Sequence, residues 1–325
     1  VLEERTVLGV DPSTRTVTYT TSASPGYATV IVPKSVAFDF QEALGRDVTF
    51  WLNEDNQVSD FTILQENVLY DAIEVSKNSS GKYLVKPANS EQAYEIDANV
   101  EVVFVDGAGD TTVDTTDLNA LVSAKDFNSA KIVIGKDGKV QALVANDFAH
   151  EILVEKVNTT YVASYGNEVN FKDYVITKNG KTISVADLQP GDVVFYHSSP
   201  KIAEVYTNKV TGTISNFYDG EFKLNNKVYK YNGSPVLTSG GWVALDDDSI
   251  KPFTKTVNAY TDRAGNLIAL TGEEGQVVTN TNAGLVTKAG VGYKVGTTST
   301  LEFTTHSTAG TVESHKVEPS KLTRV

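Results

Sequence analysis

Neither cysteine nor methionine occurs among the 325 residues of this chain. Without cysteine there can be no disulfide, no thiolate metal site and no thiol nucleophile. Position 1 is Val rather than Met, so the expectation is a processed or excised segment. No apolar run approaches the roughly 20 residues that a membrane-spanning helix needs, and no signal peptide is legible. Membrane insertion is therefore not expected. Basic runs are missing too, and the formal net charge is −13. Nucleic-acid binding draws its affinity from neutralising phosphates with a cationic patch, so nucleic acid is not an expected partner. An acidic surface suits divalent cations and basic partners instead.

The signatures of catalysis are equally sparse. The four histidines, His150, His197, His306 and His315, are scattered without the spacing of a metal site. There is no Gly-x-Ser-x-Gly elbow and no phosphate-binding glycine loop. Paired carboxylates for glycoside hydrolysis can lie far apart in a chain, but nothing singles out a pair here. The expectation is a protein that is not an enzyme.

What the sequence does contain is a recurring phrase: an alternating apolar strand, a polar turn and a second apolar strand. It stands at Asp47–Val58, Lys131–Val140, Asp192–Ile202 and Thr256–Leu267. Repeats of this kind indicate tandem units rather than one enzyme domain. The abundance of Thr, Val, Asn, Asp, Gly and Tyr favours strands joined by tight turns. The expected fold class is mainly all-β: tandem small antiparallel β-barrel or sandwich modules with one or two short helices. The expected modules are residues 1–64, 65–148, 149–207 and 208–270, with a partial module or C-terminal β-domain over 271–325. One short helical turn is expected between Phe38 and Leu44. A helix with Leu118, Leu121 and Val122 on its apolar face is expected after a cap at Thr116 or Asp117. Val210-Thr211-Gly212-Thr213-Ile214 matches Val7-Leu8-Gly9-Val10, which aligns the first and fourth modules. Asn179-Gly180 and Asn225-Asn226 mark hairpin turns, since both residue types tolerate left-handed backbone.

The stretch from Asn179-Gly180-Lys181 through Asp187-Leu188-Gln189-Pro190-Gly191-Asp192-Val193-Val194-Phe195-Tyr196, followed by Val210–Ile214 and Val228-Tyr229-Lys230, carries a family resemblance. It resembles modules of bacterial surface-layer (S-layer) proteins and related S-layer-homology-bearing proteins of Gram-positive bacteria. The resemblance covers much of residues 1–270 and is strongest over 170–270. Its motifs are structural. It implies an extracellular protein of the bacterial cell surface that assembles with itself into a two-dimensional lattice, often with calcium. No S-layer-homology anchor is found in the chain, so any attachment to a cell-wall polymer is expected through regions outside this segment.

Calcium takes six to eight oxygen ligands. Two acidic stretches offer them: Asp106, Asp110 and Asp114 in a Gly-bent loop, and Asp246 and Asp248, which would share a face if the run were a strand. The alternatives are a solvated turn before a capped helix and a solvated loop. Two other function classes stay open. A wall- or glycan-binding adhesin would use Trp51 or Trp242 as an aromatic platform, and would be excluded by burial of both. A phage tail or fibre protein would close into a trimer.

Overall fold

The computed structural model describes residues 1–23, 26–64, 67–105, 118–124, 126–164, 166–218, 220–230, 235–238, 241–244, 256–272, 284–291, 301–307 and 312–317. They are mainly β, with 28 strands and two short α-helices. The first sheet comprises β1 (Leu2–Asp11), β2 (Thr16–Thr20), β3 (Tyr27–Ile31), β4 (Asp47–Leu52) and β5 (Val58–Ile63), in the order β3-β2-β1-β4-β5; helix α1 (Phe40–Ala43) precedes β4. The long β1 changes partner along its length. Its first half pairs with β4, and from Val7 onward it pairs with β2.

This plan recurs. In β6 (Asn67–Lys77), β7 (Tyr83–Pro87), β8 (Tyr94–Val105), β9 (Asp126–Ile134) and β10 (Val140–Asn146), the order is again third, second, first, fourth, fifth. Here β8 also pairs with β10, which closes a barrel. Helix α2 (Leu118–Ala124) precedes β9 and sinks Leu121 into the barrel core. In the third unit the long first strand is split into β11 (His150–Leu153) and β12 (Lys156–Val157). Then come β13 (Tyr161–Ser164), β14 (Asn167–Asn170), the hairpin β15 (Val175–Lys178) and β16 (Lys181–Ile183), and finally β17 (Val193–His197) and β18 (Ile202–Val205). The fourth unit has β19 (Asn208–Tyr218), β20 (Glu221–Leu224), β21 (Lys227–Lys230), the hairpin β22 (Pro235–Thr238) and β23 (Gly241–Ala244), then β24 (Thr256–Thr261) and β25 (Leu267–Gly272). A three-stranded antiparallel meander follows: β26 (Gly284–Val291), β27 (Leu301–Ser307) and β28 (Val312–Val317). The four copies of the sequence phrase are the last hairpins of the four units: β4–β5, β9–β10, β17–β18 and β24–β25.

The sheets are not wholly antiparallel. Strands β8 and β10, β15 and β18, and β22 and β25 pair in parallel. For the barrel the reason is arithmetic: five strands around a closed ring cannot all alternate, so one pair must run the same way. In the third and fourth units an inserted hairpin meets the free edge of the last strand in that same parallel sense. The match between Gly212 and Gly9 is also displaced by the pairing. The partner switch falls between Thr6 and Val7 in β1 and between Thr213 and Ile214 in β19, so Ile214 corresponds to Val7.

Local chemistry accounts for the elements. Asp39 caps α1 by accepting from the amides of Gln41 (3.0 Å) and Glu42 (3.1 Å). Asn179-Gly180 and Asn225-Asn226 take φ of +53°, +76°, +50° and +68°, the left-handed pairs that two-residue hairpins require. In β4, Val48 and Phe50 face the core while Thr49 and Trp51 face outward. Each unit has its own apolar core. A further cluster of Phe148, Leu153, Val193, Phe195, Tyr260 and Ala269 lies between units.

Candidate functional site

Among the described residues the buried charges Asp71, Lys131, Glu204 and Arg263 gather where units meet, while buried Asp192 pairs with Lys178 within the third unit. Lys131 lies on the outer face of β9, between Ala130 and Ile132, which point into the barrel. Its ammonium donates to the carbonyls of Gln41 (3.1 Å), Glu42 (2.9 Å) and Leu44 (2.7 Å) at the end of α1. These carbonyls lack partners within so short a helix. On the outer face of β18, Glu204 accepts from Arg263 Nη2 at 2.6 Å through one oxygen and from Ser129 Oγ through the other. Arg263 also donates to the Tyr70 carbonyl (3.2 Å), and its guanidinium lies 4.1 Å from the centre of the Tyr206 ring. Asn89 donates to both oxygens of Asp71 and to the Arg263 carbonyl, the last at 2.8 Å. A further link joins the first unit to the third, where Asp39 accepts from the Thr182 amide (2.7 Å) and hydroxyl (2.8 Å).

A cavity of about 420 Å³ sits among these groups, lined by Leu44, Tyr70, Lys131, Val144, Phe148 and Glu204 among others. Burial pushes the Tyr70 phenol above its ordinary range. The Tyr70 hydroxyl packs so closely on Gly180 that a Cβ there would stand 1.8 Å from it. Chemically, the groups around the cavity are committed to one another. The three ammonium protons of Lys131 meet three carbonyls, and both oxygens of Glu204 are engaged. What they do is bind the units together.

The calcium candidates Asp106, Asp110, Asp114, Asp246 and Asp248 all lie outside the described residues, as do the caps Thr116 and Asp117. Among the described residues, no group of three or more His, Asp or Glu is placed to hold a metal ion. His197 is buried, with its ring 5.0 Å from that of Phe148. Trp51 is 38% exposed; Trp242 stands in β23, and its side chain lies outside the described residues. Sequence reading passed over Lys131, Glu204 and Arg263. The signal for the first two was present: Ala130-Lys131-Ile132 and Ala203-Glu204-Val205 each set a charge between apolar neighbours. Arg263 sits in a polar hairpin turn and gives no such sign. No protein-family model matches the chain, and a search of curated proteins finds no match.

Proposed function

We propose that this chain is a structural segment of a bacterial cell-surface array of the S-layer type, assembling through contacts between copies and stabilised by calcium. The observation that supports this reading is the use of its buried charges. Lys131 joins the second unit to the first, and Glu204 with Arg263 joins the second, third and fourth, so interior polar chemistry goes into holding neighbours together. A buried ion pair contributes little net stability but fixes geometry, and fixed geometry is what a repeating array needs. Calcium would bind the acidic stretches that hold Asp106, Asp110 and Asp114, and Asp246 and Asp248.

The test is light scattering and negative-stain imaging of the purified chain, with and without calcium. Sheets or extended oligomers that grow with calcium are the expected result. A closed trimer would favour a fibre protein and count against an array. Melting and particle shape that ignore a chelator would remove calcium from the proposal.

A further inference from the structure

We propose that the outer face of the β4–β5 hairpin receives the β20–β21 hairpin of a second copy, so that copies join head to tail; this rests on the array reading above. The starting point is a break in the repeat. In all four units the fourth strand turns one face to its own core. In three of them the other face is covered as well. On β9, Ser129 meets Glu204, Lys131 meets the end of α1, and Val133 lies 3.5 Å from where a Cβ on Gly45 would sit. On β17 and β24, Val193 and Phe195 pack with Tyr260. Strand β4 alone shows simple alternation of buried and open residues. Trp51 and Tyr260 hold the same register position, each just before the pairing shift that leads into the hairpin turn. Tyr260 is 2% exposed and Trp51 is 38% exposed. An interface position in the sister unit is thus an open indole here.

The surroundings of Trp51 specify the partner. Asp60 stands directly across from it on β5. Glu3 and Glu4 flank it in a bulge of β1, and together with Thr49, Thr62 and Leu64 they line a depression of about 470 Å³. Among the described residues one cation answers these three carboxylates, Lys136, at 3.6 Å from Glu4. Glu4 holds φ at +46°. The other non-glycine residues in that region are Asn and Asp in turns, and Arg15, whose guanidinium binds the carbonyls of Val32, Pro33 and Val36. Bulges of this kind re-aim side chains. Two such acidic faces would repel each other, so this face does not pair with itself.

The complementary face is on the fourth unit. Val228 is 42% exposed and stands opposite Lys223, with Lys230 on the same face; Lys227 turns the other way, its ammonium 5.2 Å from the centre of the Tyr229 ring. One carboxylate, Glu221, lies 3.8 Å from Lys230. An apolar residue beside the two ammonium groups of Lys223 and Lys230 fits an indole beside carboxylates. Because the two faces are on different units of one chain, the contact is heterologous and does not exhaust itself in a dimer.

Two blocked variants test this by sedimentation velocity on the full chain. One carries Trp51→Ala with Glu4→Lys; the other carries Val228→Glu with Lys223→Glu. Trp51, Glu4 and Val228 are exposed and Lys223 is half-buried, and unchanged circular dichroism verifies folding. The wild type is expected to grow into oligomers, more weakly as salt is raised. Each variant alone should need about tenfold or more protein to associate. An equimolar mixture should give discrete heterodimers, since each variant keeps the face the other has lost. If both variants assemble as the wild type does, the contact lies elsewhere: this proposal falls and the array reading stands. If the wild type stays monomeric at every calcium concentration and the mixture holds only monomers, both fall.

Discussion

At Asp11 a few atoms set a titration. The Ser13 hydroxyl donates to its carboxylate at 2.6 Å and the Thr14 hydroxyl at 2.8 Å, with the amides of both residues adding to them. These bonds are stronger to the ionised form, and they hold the pKa at about 2 against an ordinary 3.8. A carboxyl lowered on folding stabilises the fold above its ordinary pKa, and that contribution is lost as pH falls through the folded value. The window is therefore pH 4 down to about 2. Ser13→Ala, which removes the largest contribution, should move the Asp11 midpoint upward, as read from its carboxyl carbon chemical shift against pH. Glu204 and Arg263 present the opposite case, a pair in the interior. Arg263→Met strands a buried carboxylate with Ser129 as its remaining partner in the pair's network, and should cost about 3–5 kcal/mol in urea unfolding. Adding Glu204→Leu should restore most of that loss, because two apolar side chains leave no uncompensated charge.

At the scale of the element, turns and alternation were legible before any coordinates. Asn225-Asn226, Asn179-Gly180 and the four final hairpins are local events, written in residues a few positions apart. The strand order was not legible, because a long first strand that divides itself between two partners leaves no mark in its own sequence. The parallel pairs were hidden for the same reason: they are imposed by closure and by inserted hairpins. The site was less legible than the fold. Lys131 and Glu204 announce themselves as charges between apolar neighbours, but their partners lie 87 and 59 residues away. The β15–β16 turn makes the coupling between element and site testable. Gly180 has φ +76°, and any Cβ there would collide with the Tyr70 ring and hydroxyl of the neighbouring barrel. Gly180→Ala should cost about 2 kcal/mol or more, from left-handed strain and overpacking together. Tyr70→Ala in the same chain should relieve the overpacking share, so that the double variant loses less than the two single losses added.

At the scale of the molecule, the contacts do not follow the order of the chain. In a linear repeat array each unit touches only its neighbours, and units can melt one after another. Here Asp39 of the first unit binds Thr182 of the third, and Asn89 of the second binds Arg263 of the fourth. Leu153 and Phe195 share a cluster with Phe148 of the barrel on one side and Tyr260 of the fourth unit on the other. Opening the first unit would uncover Lys131 of the second, and opening the second, third or fourth would break the network of Glu204 and Arg263, at a cost that unit's own small core does not supply. Residues 1–272 should therefore unfold as one cooperative body. Hydrogen exchange under native conditions can decide this. The slowest amides of β4, β9, β17 and β24 should share one opening free energy and one dependence on added urea. Distinct values for the four strands would mean independent units. In the Arg263→Met variant the fourth unit should separate first, with β24 amides opening more easily than those of β9, because the Glu204 bond to the fourth unit is broken while the Lys131 clasp on α1 is intact.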